Sequence, residues 1–226
     1  MGGVQSDHPA PDPLTTLRGM AADAEVFVFD LDGVVRDFDL ATTREVTARI
    51  GLTSEEFFTI AFHETRLGAV IVGDITFAQW RSSICEGLVE HGIDAEDATR
   101  AVDAWLADRG TPIRPTVALI EELQGAGKRV FLFTNGTDNI PAELHQIGLG
   151  HLAGVALNSA DFGVAKPDPG AYAAAHAAVE RHLERPVTRS AVVFTDDRLP
   201  NVEAAERFGW RAVHFRGVLN PGLRSS

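Results

Sequence analysis

With a single cysteine, Cys85, the chain cannot close an internal disulfide, and a reducing compartment suits it. Cys85 lies in an amphipathic stretch, where a small buried hydrophobe is the expected role. Basic residues are also scarce: 20 Lys and Arg stand against 32 Asp and Glu, for a formal charge of −12 and a pI of about 5.0. The long-range field of such a surface repels nucleic acid and anionic membranes, so neither is expected as a partner. No apolar run approaches the roughly 18 residues needed to cross a bilayer. Residues 1–24 carry Asp7, His8, Asp12 and three prolines but no apolar signal-peptide segment, and are expected to be a flexible leader. A cytoplasmic protein is the expectation. Internal repeats, low-complexity linkers and His/Cys clusters are missing too.

The chain is rich in apolar residues, 45% of the total over 226 positions. That supports a substantial core in one domain, or one domain with a sizeable insert. Val26-Phe27-Val28-Phe29 reads as a fully buried strand, and Asp30 and Asp32 stand where it ends. Two carboxylates at the mouth of a hydrophobic sheet cost free energy unless a cation or a shared proton relieves them. Strand alternation lets Asp30 and Asp32 face one way while Leu31 anchors the core, and Gly33 lets the backbone turn. Taken alone, the same residues read equally well as a solvated Asp-Gly turn.

From about Asp37 to Thr111 the apolar period becomes helical. Asp39 or Thr42, Ser54 with Glu55 and Glu56, Thr76 and Asp94 are start signals for helices over about 41–50, 54–65, 76–90 and 94–109. Ala69-Val70-Ile71-Val72 is ambiguous by period. Beyond Pro115, strands at 129–134, 155–157, 191–195 and 212–215 alternate with helices at 116–126, 141–147, 169–183 and 200–208. With the first strand this makes five, the pattern of an α/β, doubly wound parallel sheet whose active edge is the carboxyl end of the strands. Residues 217–226 are expected to be a flexible tail.

The strand ends carry chemistry-bearing groups. Thr134-Asn135-Gly136 offers a hydroxyl, a side-chain amide and backbone N–H groups suited to phosphoryl oxygens, or a helix-capping turn. Lys166 is followed by Pro167-Asp168-Pro169, which fixes its direction, although a surface lysine is the ordinary reading. Asp196-Asp197 ends a later buried strand, with Asn201 following. The two acidic strand ends supply up to four carboxylates, an oxygen set that selects a hard divalent cation, Mg2+, over zinc.

Asp30-Leu31-Asp32-Gly33-Val34-Val35, Thr134-Asn135, Lys166-Pro167 and Asp196-Asp197, in that order, resemble the four motifs of the haloacid dehalogenase superfamily of hydrolases. The resemblance runs from about Val26 to Phe215. It implies a Rossmann-like catalytic core over 25–36 and 112–216, with an α-helical cap over 37–111 inserted between the first two motifs. The 104 residues from Asp30 to Thr134 fit such an insert, since a plain crossover needs only about a dozen.

The resemblance also implies roles. Asp30 is the nucleophile forming an aspartyl-phosphate, and Asp32 is the general acid and base. Thr134, the Asn135 backbone and Lys166 hold the phosphoryl group. Mg2+ is bound by the Asp30 carboxylate, the Asp32 main-chain carbonyl and the Asp196-Asp197 pair, with Asp197 favoured as the direct ligand. The implied activity is a Mg2+-dependent phosphatase acting on a small phosphorylated metabolite, as a monomer or homodimer. Dehalogenating relatives lack an acid at the position of Asp32. A phosphomutase is the first alternative, although no His follows Val35 closely as in sugar-phosphate mutases. A dehalogenase or a non-catalytic binding protein comes behind. Arg36, His63, Arg66 and Trp80 could reach the site from the cap side, but a solvated face or the cap core is the expected place for each.

Overall fold

The computed structural model describes residues 12–216. The chain opens with α1 (Pro13–Met20) and β1 (Val26–Phe29), then passes through β2 (Arg36–Asp37) into five helices: α2 (Leu40–Arg49), α3 (Ser54–Ala61), α4 (Glu64–Ile71), α5 (Phe77–Glu90) and α6 (Ala95–Ala107). It returns through β3 (Thr111–Pro112) to α7 (Arg114–Gly125), β4 (Arg129–Thr134), α8 (Ile140–Gln146), β5 (Ala156–Asn158) and α9 (Ser159–Phe162). The last elements are α10 (Pro169–Leu183), β6 (Val192–Asp196), α11 (Leu199–Phe208) and β7 (Arg211–His214).

The sheet order is β5-β4-β1-β6-β7, parallel throughout, with Phe29 of β1 level with Leu132 of β4 and Thr195 of β6. Strand alternation builds two cores. Phe27 and Phe29 pack with Leu14, Leu17, Leu119 and Leu132 on one face, and Val26 and Val28 with Phe131, Phe133, Tyr172 and Phe194 on the other. Both faces are covered, which is why these strands read as unbroken apolar runs.

The helical insert has its own core around Phe57, Ile84, Leu88 and Val102. Its helices start at side-chain caps: Thr53 with Glu56 and Thr76 with Gln79 form capping boxes, and Asp94 accepts from the backbone N–H groups of Glu96 and Asp97. Where a single helix over 54–65 was expected, α3 and α4 are separated at Phe62–His63, and of the ambiguous 69–72 segment the first three residues complete α4 and Val72 is its C-cap. The insert joins the sheet through a two-stranded antiparallel ribbon, with Arg36 opposite Pro112 and Asp37 opposite Thr111, too short to leave a periodic signal.

The expectation of a flexible leader is corrected at its C-terminal part. Asp12 caps α1 by accepting from Thr15 N–H, Pro13 occupies the first helical turn, and Leu14 and Leu17 are buried against the sheet core. Residues 1–11 and the expected tail, 217–226, lie outside the described residues. Among the described residues no helix is long and apolar enough to cross a membrane. Leu17 is 1% exposed, so Leu17→Ala is expected to lower the unfolding free energy by about 3 kcal/mol in urea. An unchanged midpoint would mean that α1 does not belong to the folded unit.

Candidate active site

β4, β1 and β6 are adjacent in the sheet, and their carboxyl ends place Thr134, Asp30 and Asp196 side by side. The Asp30 N–H extends the β1–β6 pairing by one bond, donating to Thr195 O at 2.8 Å. Asp30 therefore emerges at a fixed height above the sheet, with its side chain 10% exposed.

Lys166 enters this cluster from the loop before α10. Its Nζ donates to Asp30 Oδ1 at 2.8 Å, Asp196 Oδ2 at 2.8 Å and Phe133 O at 2.7 Å. An ammonium has three N–H donors, and all three are satisfied. The backbone behind it is held as firmly. Asn135 Nδ2 donates to Lys166 O, and Lys166 N–H donates to Asn135 Oδ1, each at 2.8 Å. The Asn135 amide, a candidate phosphoryl ligand by sequence, thus serves to position the lysine. Asp196 is fixed from the far side, accepting from Asn201 Nδ2 at 3.0 and 2.9 Å and from Arg198 N–H at 2.8 Å.

One oxygen each from Asp30, Asp196 and Asp197 lie within 4.8 Å of one another. Three acids around one lysine leave an excess of negative charge. Burial pushes the Asp30 carboxyl up to about 8 against the pull of Lys166, with Asp196 adding repulsion. Burial and then Asp196 also raise Asp197. Burial works against the Lys166 ammonium, but attraction to Asp30 and Asp196 outweighs it, and the net shift is upward. A hard cation among these carboxylate oxygens would relieve the imbalance, and the donor set fits one. Gly33 keeps the place open. Its φ is +87°, and a Cβ there would come within 2.7 Å of Asp197 Oδ2.

Asp32 has different surroundings. Its side chain is 47% exposed and lines the cleft between sheet and insert, where both carboxylate oxygens accept from Arg36, at 2.6 Å from Nε and 3.2 Å from Nη2. Arg36 is not on the solvated face or in the cap core expected for it: it is 2% exposed and also donates to Glu143 Oε2 on α8 at 2.8 Å. Arg109, at the other end of the ribbon, donates to Glu143 Oε1 at 3.2 Å. The sequence did hold a signal for the Asp32–Arg36 pair, opposite charges four apart just past a strand, whereas Glu143 and Arg109 meet them only through the fold. Trp80 is buried and lines the cleft. Arg66 pairs with Glu90 and the His63 ring with Thr65.

The family model for haloacid dehalogenase-like hydrolases matches residues 24–209. The chain is 33% identical over 198 residues to Phosphatase MT3486 of Mycobacterium tuberculosis (strain CDC 1551 / Oshkosh), covering 82% of this chain and 84% of that protein. Its fold is similar to a crystal structure described as a dehalogenase, with a TM-score of 0.67 at 21% identity, covering 88% and 87% of the two chains. It is similar also to the HAD family enzyme bt-2542 of Bacteroides thetaiotaomicron in complex with magnesium and inorganic phosphate, with a TM-score of 0.65 at 19% identity, covering 88% and 98%.

A cation held by the Asp30 carboxylate would have to displace a proton below about pH 8. Affinity for Mg2+ is expected to rise from about pH 6 to about pH 8, by at most about tenfold per unit. Calorimetry in two buffers of different ionisation enthalpy would show the proton released, and a pH-independent affinity would contradict the assignment. Without a cation, the folded chain holds this proton where the unfolded chain, with its carboxyl near 3.8, does not. The metal-free protein should therefore lose stability as pH rises from about 4 to about 8. Removing the arginine tests the second cluster. Arg36→Met leaves Glu143 with reduced compensation and should cost about 3 kcal/mol in urea unfolding, much of it recovered in Arg36→Met/Glu143→Leu. A single variant as stable as the parent would show the network to be energetically idle.

Proposed function

The chain belongs to the haloacid dehalogenase-like hydrolases, and from that membership we propose that it is a Mg2+-dependent phosphatase hydrolysing a small phosphorylated metabolite through an aspartyl-phosphate on Asp30. The observation that carries the reading is the unlike setting of two carboxylates from one strand end. Asp30 is buried and locked by Lys166, while Asp32 is half exposed in the cleft. Neighbouring acids in different environments divide nucleophilic from proton-transfer work.

In the first step an Asp30 oxygen attacks phosphorus, the bond to the ester oxygen breaks, and that oxygen takes a proton from Asp32. In the second, Asp32 takes a proton from water, whose oxygen attacks the phosphoryl group and frees Asp30. Both Asp32 oxygens accept from Arg36, so reaching the ester oxygen requires the carboxyl to turn out of that pairing. Lys166 and Thr134 lie at the end of the sheet where phosphoryl oxygens would gather. A carboxylate approaching a phosphate anion at about 4 Å and an effective dielectric near 20 is opposed by about 4 kcal/mol per pair of unit charges. Mg2+, held by the carboxylates of Asp30 and Asp197 and the Asp32 carbonyl with Asp196 beside them, would offset that repulsion when bound.

Asp197 suits the direct-ligand role because the Asp196 carboxylate is already engaged by Lys166, Asn201 and Arg198. The phosphatase relative supports the reaction class, and the magnesium and phosphate bound to the bacteroidal neighbour support the ligands. Those solved structures, all below 25% identity, carry the fold and not the choice between phosphatase and dehalogenase.

Phosphate release from p-nitrophenyl phosphate and a panel of phosphorylated metabolites tests the proposal. Turnover should require Mg2+, disappear in Asp30→Asn and fall about 10²- to 10⁴-fold in Asp32→Asn with Mg2+ affinity nearly intact. Near-normal turnover in Asp32→Asn would remove the acid–base role. Halide release from a 2-haloalkanoate without phosphate release from any ester would replace the phosphatase reading with a dehalogenase one.

A further inference from the structure

The cleft above Asp32 continues into a cavity of about 280 Å³ between sheet and helical insert. Asp32, Asn135 and Gly136 line its inner end, so it opens directly from the reaction site. Its outer wall is made of rings: Phe38, Phe58, Phe62, Phe77, Trp80 and Trp105. We infer that this cavity holds the leaving group of the ester, and that the leaving group is an aromatic ring poor in hydroxyls. The identity of the reaction rests on the phosphatase reading above; the binding preference does not.

Aromatic residues inside an insert ordinarily form its core, as Phe57 does at 0% exposure. Trp80 belongs to that core too, but the other five rings are only partly covered. Phe38, Phe58, Phe77 and Trp105 are half-buried, and Phe62 is 42% exposed at the cavity. They are nevertheless ordered against one another: Phe62 stacks on Trp80 with an interplanar angle of 18°, and Trp105 meets Phe62 edge-on with centroids 5.7 Å apart. A flat ring entering the cavity would find faces and edges already oriented, the arrangement aromatic pairs favour.

The polar groups of the wall point to the same occupant. Trp80 Nε1 donates to Ala61 O, so its indole presents no free donor. Arg36 is engaged by Asp32 and Glu143, and Arg109 by Glu143 and Gln146. Asp39 accepts from Ala41 N–H and Asp108 from Gly110 N–H. A sugar or polyol phosphate needs a partner for each hydroxyl it brings out of water. Both guanidinium groups and the Trp80 indole are committed, which leaves, among the described residues, only the Thr43 and Thr137 hydroxyls, the Trp105 Nε1 and one oxygen each of Asp39 and Asp108 in a wall otherwise made of rings. The cavity lies at the small end of ligand pockets, about 300–1,000 Å³, which suits one ring or two fused rings.

The test uses the full-length protein with MgCl2 and two non-hydrolysable probes, benzylphosphonate and 2,3-dihydroxypropylphosphonate. Binding is followed by calorimetry and by the fluorescence of Trp80 and Trp105. The aromatic probe should bind at least about tenfold more tightly. Phe62→Ser, a change at an exposed side chain, should reduce that ratio at least about threefold with the fold intact by circular dichroism. Equal binding, tighter binding of the diol, no binding of either, or a ratio unaffected by Phe62→Ser would each overturn the inference. Turnover is read separately on 2-naphthylmethyl phosphate and glycerol phosphate, whose leaving oxygens are both alkoxy, so that ring binding is not confused with leaving-group acidity. A binding preference without phosphate release would refute the phosphatase reading and leave the cavity assignment standing. Phosphate release with no preference between the two esters would do the reverse.

Discussion

The site depends on one buried ammonium. Lys166 is 1% exposed in its side chain, and its three donors end on Asp30, Asp196 and a carbonyl of β4. A buried charge survives when it is paired and every donor is satisfied, and both conditions hold. The same contacts couple three strands: β1 supplies the first acid, β6 the second and β4 the carbonyl. Asp30 and Lys166 are 136 positions apart in the chain, so their meeting measures how well the whole sheet has closed. Because one lysine cannot balance the acids around it, the cluster remains short of positive charge. That shortage, rather than any one residue, makes it a place for a cation.

The sheet order explains why the chemistry collects at β1. The chain passes from β1 to β4 and β5 on one side and then crosses from β5 to β6 on the other, so the central strand ends at a topological switch point where loops part. The insert leaves from this point. Its ribbon, β2 with β3, passes so close to itself that a Cβ on Gly110 would meet Asp37 O at 2.7 Å, and the φ of +74° at that position favours glycine independently. Arg36 on the ribbon then ties Asp32 to Glu143 of the core. The acid of the cleft is thereby held by the joint on which the insert is mounted.

The sheet was legible because its strands are covered on both faces. Runs such as Val130-Phe131-Leu132-Phe133 have one reading at that length, and the polar residues ending them could be collected by position alone. The parts that escaped depend on short or mixed signals. α1 was hidden among prolines read as leader, although Asp12 followed by Pro13 is a helix start and Leu14 and Leu17 are spaced for one face. The break between α3 and α4 has no glycine or proline to mark it. Arg36 is expected on a solvated face or in the cap core because spacing alone gives an arginine no buried partner, whereas the burial observed comes with Glu143, over a hundred positions away. The use of the Asn135 amide is not legible for a related reason: a side chain suited to phosphate can equally hold a backbone, as it does at Lys166, and spacing does not separate the two.

The two halves of the cleft divide the physical work. The sheet edge concentrates charge, with acids, a lysine and a place for a cation within a few ångströms. The insert contributes apolar rings, and Arg109 at its base is turned to Glu143 and Gln146 of the core. Such a wall stabilises no charge by itself, but it excludes water from the edge it faces and lowers the local dielectric, which strengthens each interaction among Asp30, Lys166 and an approaching anion. A polar wall would bind hydroxyls better and screen the charges more. On the proposed reading the aromatic lining would act on both selectivity and reaction, and a substitution at Phe62 or Trp105 would reach the chemistry through water rather than through contact with phosphorus.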